Sequence, residues 1–303
     1  MYTQYDIPNT KFNIEIDETN LNKYISLLEN INDDGLPKLS LNQRSPKYLS
    51  DLFKYYLKLS SYNEKEVINE ETINKIDEYL KECNVPEITK LYSLLFDEVP
   101  CFRSPTDPDE GFVGVYKRSN HRREEFYNIG MKASDIDGEQ LQNLVNYYYQ
   151  LQKENIPDTE IKVWGFICYL LYERIHPHHD GNGRIGRLLF IENTYNRVYL
   201  PLSEFIAKAK QQQHLLQNIY NKVNFKYIHY INDSSIKYPD TDKYYKLTID
   251  DELLKGIFKC LCICKEYKLS YDRINESENN PKICEGDEVK SHSLFHLHEN
   301  IQK

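Results

Sequence analysis

The chain has 303 residues, 40% of them hydrophobic and 28% charged, which is enough apolar surface for a sizeable core and indicates a soluble protein. A formal net charge of -9 argues against broad binding to a nucleic-acid backbone. No window approaches the roughly 18 uninterrupted apolar residues of a membrane span. Seven cysteines without a framework spacing suit a reducing compartment better than a disulfide scaffold. Met1-Tyr2-Thr3-Gln4-Tyr5-Asp6 shows no basic stretch leading into an apolar one, so a cytoplasmic, intracellular protein with neither membrane nor nucleic-acid partner is expected.

In chain order, residues 17–98 carry apolar positions at spacings of three and four. Leu52, Phe53, Tyr56 and Leu57, then Ile73, Ile76 and Leu80, predict several amphipathic helices, and residues 1–98 read as a helical N-terminal lobe. From Asp97 to Gly114 the prolines at 100, 105 and 108 and the glycines at 111 and 114 predict an irregular connection. Phe112 to Ile129 mixes polar and β-prone residues without a helical stripe and is closed by Gly130, which predicts a short hairpin. Within it, Lys117, Arg118, Arg122 and Arg123 form a local basic cluster of the kind found on solvated loops.

Helices are expected at about 135–153 and 159–175, the second marked by Trp164, Ile167, Cys168, Leu171 and Ile175 and ended by Pro177. After a polar turn a helix resumes near Gly183, with Ile185, Leu188 and Leu189 available to the core. Further helical patterns occupy 203–222 and 250–268, and the last thirty residues read as a loosely ordered polar tail. Cys260, Cys262 and Cys264 alternate in a spacing that lacks the C-x-x-C of common zinc knuckles, so they are expected to pack as small hydrophobes.

The chemistry concentrates in His176-Pro177-His178-His179-Asp180-Gly181-Asn182-Gly183-Arg184-Ile185-Gly186-Arg187. A helix, a polar turn and a second helix place Gly181, Asn182 and Gly183 where unpaired backbone N–H groups and the positive end of a helix dipole favour an anion such as a diphosphate. Glycine there also permits positive φ and close approach. Arg184 and Arg187, three apart on the new helix, share a face, and their planar forks suit phosphate oxygens. Asp180 is a hard oxygen ligand able to hold Mg²⁺ against those oxygens, and His176 is placed to take a proton from an attacking hydroxyl.

Three other readings fit less of the run, the plainest being a helix-capping loop with incidental charge, which explains the glycines and arginines separately but not their arrangement with Asp180 and His176. Gly181-Asn182-Gly183-Arg184-Ile185-Gly186 satisfies the bare dinucleotide string G-x-G-x-x-G, but that motif must follow a strand, and here it follows a predicted helix. His176-x-His178-x-Asp180 matches most of a zinc-hydrolase string, with Gly181 where the last His should stand.

The run resembles the signature of the Fic family, H-P-F-x-D/E-G-N-G-R-x-x-R, at His176, Pro177, Asp180, Gly181, Asn182, Gly183, Arg184 and Arg187. The resemblance extends from Gly114-Val115-Tyr116-Lys117-Arg118, similar to the family's lead into its flap, to about residue 222. It implies a mainly α fold: a Fic-type helical bundle with a short β-hairpin flap at about 112–130, a core over 99–230, a catalytic loop at 176–187 and a C-terminal helical extension with a polar tail over 231–303. The implied activity is Mg²⁺-dependent transfer of AMP from ATP to a Ser, Thr or Tyr hydroxyl of a target protein, or of the chain itself, with the flap aligning the target by strand addition. His176 would be the general base, Asp180 the Mg²⁺ ligand, Gly181, Asn182 and Gly183 the hole for the α- and β-phosphates, Arg184 a phosphate ligand and Arg187 the γ-phosphate partner.

One position departs from the pattern: His178 stands at the family's Phe, and it is expected to pack beneath the loop with its ring nitrogens satisfied. His179 occupies a variable position and is expected to be exposed. Many Fic proteins also carry an inhibitory string S/T-x-x-x-E-G/N whose Glu pairs with the second motif Arg. Thr106-Asp107-Pro108-Asp109-Glu110-Gly111 fits it, which would make Glu110 inhibitory, while Asp107, Pro108 and Glu110 equally suit a helix start. Removal of AMP, another donor (UMP or phosphocholine), a degenerate fold that binds without turnover, and a homodimer all remain open at this point.

Overall fold

The computed structural model describes residues 1–30, 45–97, 101–106, 116–120, 123–128, 130–208, 210–223, 227–230 and 240–264. Over these the protein is mainly helical, with two small three-stranded sheets.

The chain opens on strands. β1 (Tyr2–Asp6) and β2 (Asn13–Asp17) form an antiparallel hairpin, so the N-terminal lobe predicted as helical begins instead as a sheet edge. The third strand, β6 (Lys246–Ile249), pairs parallel to β2 with Ile14 opposite Leu247 and Ile16 opposite Ile249. All four of these side chains are buried, while their sequence neighbours face outward, the period-two pattern of a one-sided strand. With two apolar residues per strand, that pattern is too short to stand out from the sequence, and its partner lies near the other end of the chain.

Helices α1 (Glu18–Asn30), α2 (Pro46–Asn63), α3 (Glu70–Glu82) and α4 (Ile88–Phe96) follow. Their ends obey local chemistry. The Ser45 hydroxyl accepts from the Tyr48 N–H with Pro46 at the first helical position, and the Asn69 side chain accepts from the Thr72 N–H. The predicted stripes are the buried faces: Leu52, Phe53, Tyr56 and Leu57 of α2, and Ile73, Ile76 and Leu80 of α3.

β3 (Tyr116–Asn120) and β4 (Arg123–Asn128) make the predicted hairpin, and β5 (Tyr227–Tyr230) adds a third antiparallel strand on the β4 side. α5 (Gly138–Leu151), capped by Asp137, leads to α6 (Asp158–Ile175), which is buried on nearly all sides from Ile161 to Ile175. A helix apolar all round belongs at the centre of a bundle, and α6 packs there against α5, α7 (Asn182–Phe190) and α9 (Lys210–Val223). α6 and α7 approach closely because Gly186 faces α6: a Cβ there would lie 2.9 Å from the Tyr169 ring.

The predicted span 203–222 is occupied by α8 (Leu202–Lys208) and α9. α10 (Thr241–Tyr245) precedes β6, and α11 (251–264) closes the described chain, with Cys260 and Cys264 buried as expected. One hydrophobic cluster runs from Ile14 and Ile16 through Trp164 to Leu253 and Cys260, so strands and helices share a core. Trp164 meets the Tyr5 ring edge-on at 5.0 Å, tying β1 to α6. No helix of the described residues is long and apolar enough to cross a membrane.

Candidate functional site

The site is the turn between α6 and α7. α6 ends on His176, which takes the left-handed conformation (φ 53, ψ 59) while its N–H donates to the Tyr172 carbonyl at 3.0 Å. α7 begins at Gly181, also left-handed (φ 81), and no side chain caps its first N–H groups. A Cβ at Gly181 would lie 2.1 Å from the Phe96 ring, so both φ and space demand glycine. The Asn182 side chain staples the turn: Oδ1 accepts from the His178 N–H at 2.9 Å and Nδ2 donates to the His178 carbonyl at 2.8 Å. Asn182 therefore offers an anion its backbone and keeps its side chain for the loop.

His178 takes the buried place expected for it. It is fully enclosed, stacked against Tyr92 (4.6 Å between ring centroids) and Phe102 (5.5 Å). Nδ1 faces the Cys101 carbonyl and must carry the proton, so Nε2 accepts from the Tyr172 hydroxyl. Burial drives its pKa down to about 4, which keeps the ring neutral. A polar ring fits where an apolar one is the pattern because Tyr172 and Cys101 supply both partners.

Arg103, from the segment predicted only as irregular connection, clasps the same turn from outside. Its Nε donates to the His176 carbonyl at 2.8 Å, its backbone N–H donates to the Pro177 carbonyl at 2.9 Å, and a guanidinium N–H donates to the Met131 carbonyl. One arginine thus binds three backbone carbonyls and joins three segments distant in sequence. The Arg103 cation also acts on the His176 ring. Burial first, then Arg103 and His178, push its pKa to about 3, with a smaller opposing contribution from the Glu173 backbone. His176 is therefore unprotonated throughout the neutral range. Its Nδ1 is buried.

Arg184 and Arg187 point inward from α7, each no more than 3% exposed. The Arg187 guanidinium donates through Nε and Nη2 to the Ser60 hydroxyl, and its ion pairs reach Glu64 (3.5 Å) and the buried Glu192 (3.7 Å). Glu192 also accepts from the Ser203 hydroxyl at 2.7 Å, tying the end of α7 to the start of α8. Arg184 pairs with Asp180 (2.9 Å) and with both carboxylate oxygens of Glu66, and Phe96 covers its guanidinium with the ring centroid 4.5 Å away. Asp180 is 71% exposed at its side chain, and its Oδ1 accepts from the Gly181 N–H at 2.7 Å.

These groups surround a cavity of about 480 Å³ lined by His176, Asp180, Gly181, Asn182, Gly183, Arg184 and Arg187. All seven residues singled out in the loop thus face one space. Ile206 and Leu216 from α8 and α9, with Gln217 and Tyr220, form a less polar wall. Glu173, one turn before His176, lines the cavity too, with Oε1 buried and unbonded. Burial lifts its pKa to about 7 against the opposing pull of Arg187, with Glu64 adding to the rise.

Glu110 lies outside the described residues. Of the two acids that meet the second motif arginine among the described residues, Glu64 and Glu192, Glu64 ends Ser60-Ser61-Tyr62-Asn63-Glu64 at the close of α2, which carries the same S-x-x-x-E spacing. Lys65 follows where the string asks for Gly or Asn, and it adopts the left-handed φ of 62 that those residues favour. Relaxing the last position of the string is the sequence signal that finds it.

A loop of this kind, with the buried His178, a glycine turn and two inward arginines, is Fic-like in arrangement, and a partial sequence match points the same way. The chain is 26% identical over 149 residues to the protein adenylyltransferase and cysteine protease IbpA of Histophilus somni (strain 2336). The match covers 48% of this chain and spans 3% of that much longer protein. No family model matches the chain.

Proposed function

We propose that this protein is a protein adenylyltransferase of the Fic type, moving AMP from ATP to a Ser, Thr or Tyr hydroxyl of a target protein or of itself. The observation that carries the reading is the single cavity onto which His176, Asp180, the Gly181–Gly183 turn, Arg184 and Arg187 converge. The adenylyltransferase in the name of the partial relative supports it.

In this reading the N–H groups at the start of α7 and the Arg184 guanidinium hold the α- and β-phosphates, and Arg187 meets the γ-phosphate. With the buried Nδ1 of His176 carrying the ring's own proton, Nε2 takes the proton of the attacking hydroxyl. The hydroxyl oxygen forms a bond to the α-phosphorus, the bond from that phosphorus to the bridging oxygen breaks, and pyrophosphate leaves with the charge that the turn and arginines stabilise. No group of three or more His, Cys, Asp or Glu suited to a metal occurs among the described residues. Asp180, exposed but engaged by Arg184 and the Gly181 N–H, would turn to Mg²⁺ as one ligand of an ion held chiefly by the ligand's phosphates, and the ion would supply charge neutralisation there.

The chain described is a resting form, because Ser60 and Glu64 occupy Arg187. This matches the inhibitory Glu–Arg pairing of the resemblance with Glu64 in place of Glu110. The test is intact-mass spectrometry after incubation with ATP and Mg²⁺, on the unaltered chain, Glu64→Gly and Glu64→Gly/His176→Ala. A gain of one AMP in Glu64→Gly, lost with His176→Ala, is expected. ATP binding with no covalent product in Glu64→Gly, alone or with candidate targets from a lysate, would favour binding without turnover.

A further inference from the structure

The turn after α2 sets two carboxylates, and not one, on the arginines of the cavity. After α2 the backbone folds back on itself: the N–H groups of Glu64 and Glu66 both donate to the Ser61 carbonyl at 3.0 Å, and that of Lys65 donates to the Tyr62 carbonyl at 2.9 Å. Lys65 at φ 62 turns the chain between the two acids. Glu64 faces Arg187, and Glu66 faces Arg184.

The second contact is the closer of the two. Both Glu66 oxygens meet the Nη1 and Nη2 groups of Arg184, and Nη2 also serves Asp180 at 2.9 Å. Phe96 covers the guanidinium, and Nε is buried without a partner. The paired donor edge that a phosphate would use is thus already taken by a carboxylate of matching geometry. Arg184 is 2% exposed while Glu66 is 47% exposed, so the arginine is fixed and the acid is the member able to swing out into water.

We infer that Glu66 is a second plug of the anion site: its carboxylate stands on Arg184 where a phosphate group of the ligand binds, and it must leave before a polyphosphate enters. The inference rests on the reading of the Gly181–Arg187 turn as a phosphate site. It goes beyond the S-x-x-x-E pattern, which concerns one acid and the second arginine alone. It predicts that the α2 turn blocks both arginines together, so relief of the Glu64 contact leaves the site half closed. Apparent affinity for any anion is then reduced by the fraction of molecules in which Glu66 has swung away.

The test is calorimetric titration of the full chain with inorganic pyrophosphate in metal-free buffer, which reads the anion site without any transfer chemistry. Glu66→Gln removes the charge, and Glu66→Asp keeps the charge but shortens the reach, so the pair separates a plug from a general field effect. Both are expected to bind pyrophosphate at least about fivefold tighter than the unaltered chain, with thermal unfolding establishing that each is folded. Arg184→Gln is expected to lose the binding. Unchanged affinity in both Glu66 variants, with Arg184→Gln still weakening binding, overturns the plug and leaves the phosphate site standing. Binding that is absent throughout, or indifferent to Arg184→Gln, overturns the phosphate site and the plug with it.

Discussion

The Ser60 hydroxyl accepts two hydrogen bonds from Arg187, at 3.2 Å from Nε and 2.9 Å from Nη2, across the interface between the end of α2 and the middle of α7. With Glu64 at 3.5 Å, this makes the end of α2 the resting partner of the arginine assigned to the γ-phosphate. Glu64→Gly is therefore expected to raise self- or target-labelling by labelled ATP roughly tenfold or more, the effect of shifting a closed equilibrium toward its open member. Glu110→Gly is expected to leave labelling unchanged. The reverse result would return the inhibitory role to Glu110.

His176→Ala is expected to reduce labelling by about 10²–10⁴-fold, the range of a lost general base, while ATP still raises the melting temperature. Full labelling by this variant would remove His176 from the chemistry.

Asp180 is the exposed carboxylate at the mouth of the turn. Chelation of Mg²⁺ is expected to abolish labelling in the Glu64→Gly background. Asp180→Asn is expected to shift the Mg²⁺ concentration for half-maximal rate upward by about tenfold, as one ligand of a phosphate-held cation is weakened. A Mg²⁺ titration curve that does not move would remove Asp180 as the metal ligand.

The two imidazoles give stability a sign on the acid side. The pKa values of His176 and His178 fall from 6.5 to about 3 and about 4, so between those values and 6.5 the unfolded chain binds more protons than the folded one. Their contribution is complete above pH 6.5 and is lost as pH falls. Glu173, raised from 4.5 to about 7, works oppositely: its contribution is complete below pH 4.5 and is lost as pH rises through 7. His178→Phe should fold, lose the bonds to Tyr172 and Cys101 at a cost of about 1–3 kcal/mol at neutral pH, and unfold in urea with a shallower pH dependence between 6.5 and 4. An unchanged slope would mean that His178 is not held neutral.

Gly181→Ala is expected to lower stability by about 1–3 kcal/mol through left-handed strain alone, with displacement of Phe96 adding to it. Urea unfolding measures the loss, and a variant as stable as the parent would show that the turn relaxes to an ordinary conformation.

How far these features could be seen in advance follows from how locally they are encoded. The turn was legible because its cavity-lining residues are consecutive or nearly so, and the flanking helices announced themselves by Pro177 and by the apolar run of α6. Ser60, Glu64 and Glu66 were not, because their meaning lies in contact with α7, far along the chain, and because Lys65 supplies by conformation what the string requires by residue type. Arg103 was hidden for a related reason: it lies in a segment without periodicity, and its partners are backbone carbonyls that carry no residue signature. The β1–β2–β6 sheet escaped because each strand offers too few alternations and its members are separated by almost the whole chain.

The clasp around the His176 carbonyl has a consequence for reading a target. The Met131 N–H donates to the Ile175 carbonyl at 2.9 Å, Gly130 packs so closely that a Cβ would meet that of His176 at 2.6 Å, and Arg103 joins the two backbones. The β3–β4 hairpin is thus rooted on the last residues of α6. In the proposed function, a target segment adds at the β3 edge, because β5 already pairs with β4, and the register of that pairing sets how far its hydroxyl lies from the imidazole. Specificity would then be a matter of counting: the hydroxyl a fixed number of strand positions from the docked edge is presented to the base, and a neighbour one position away points to the other face.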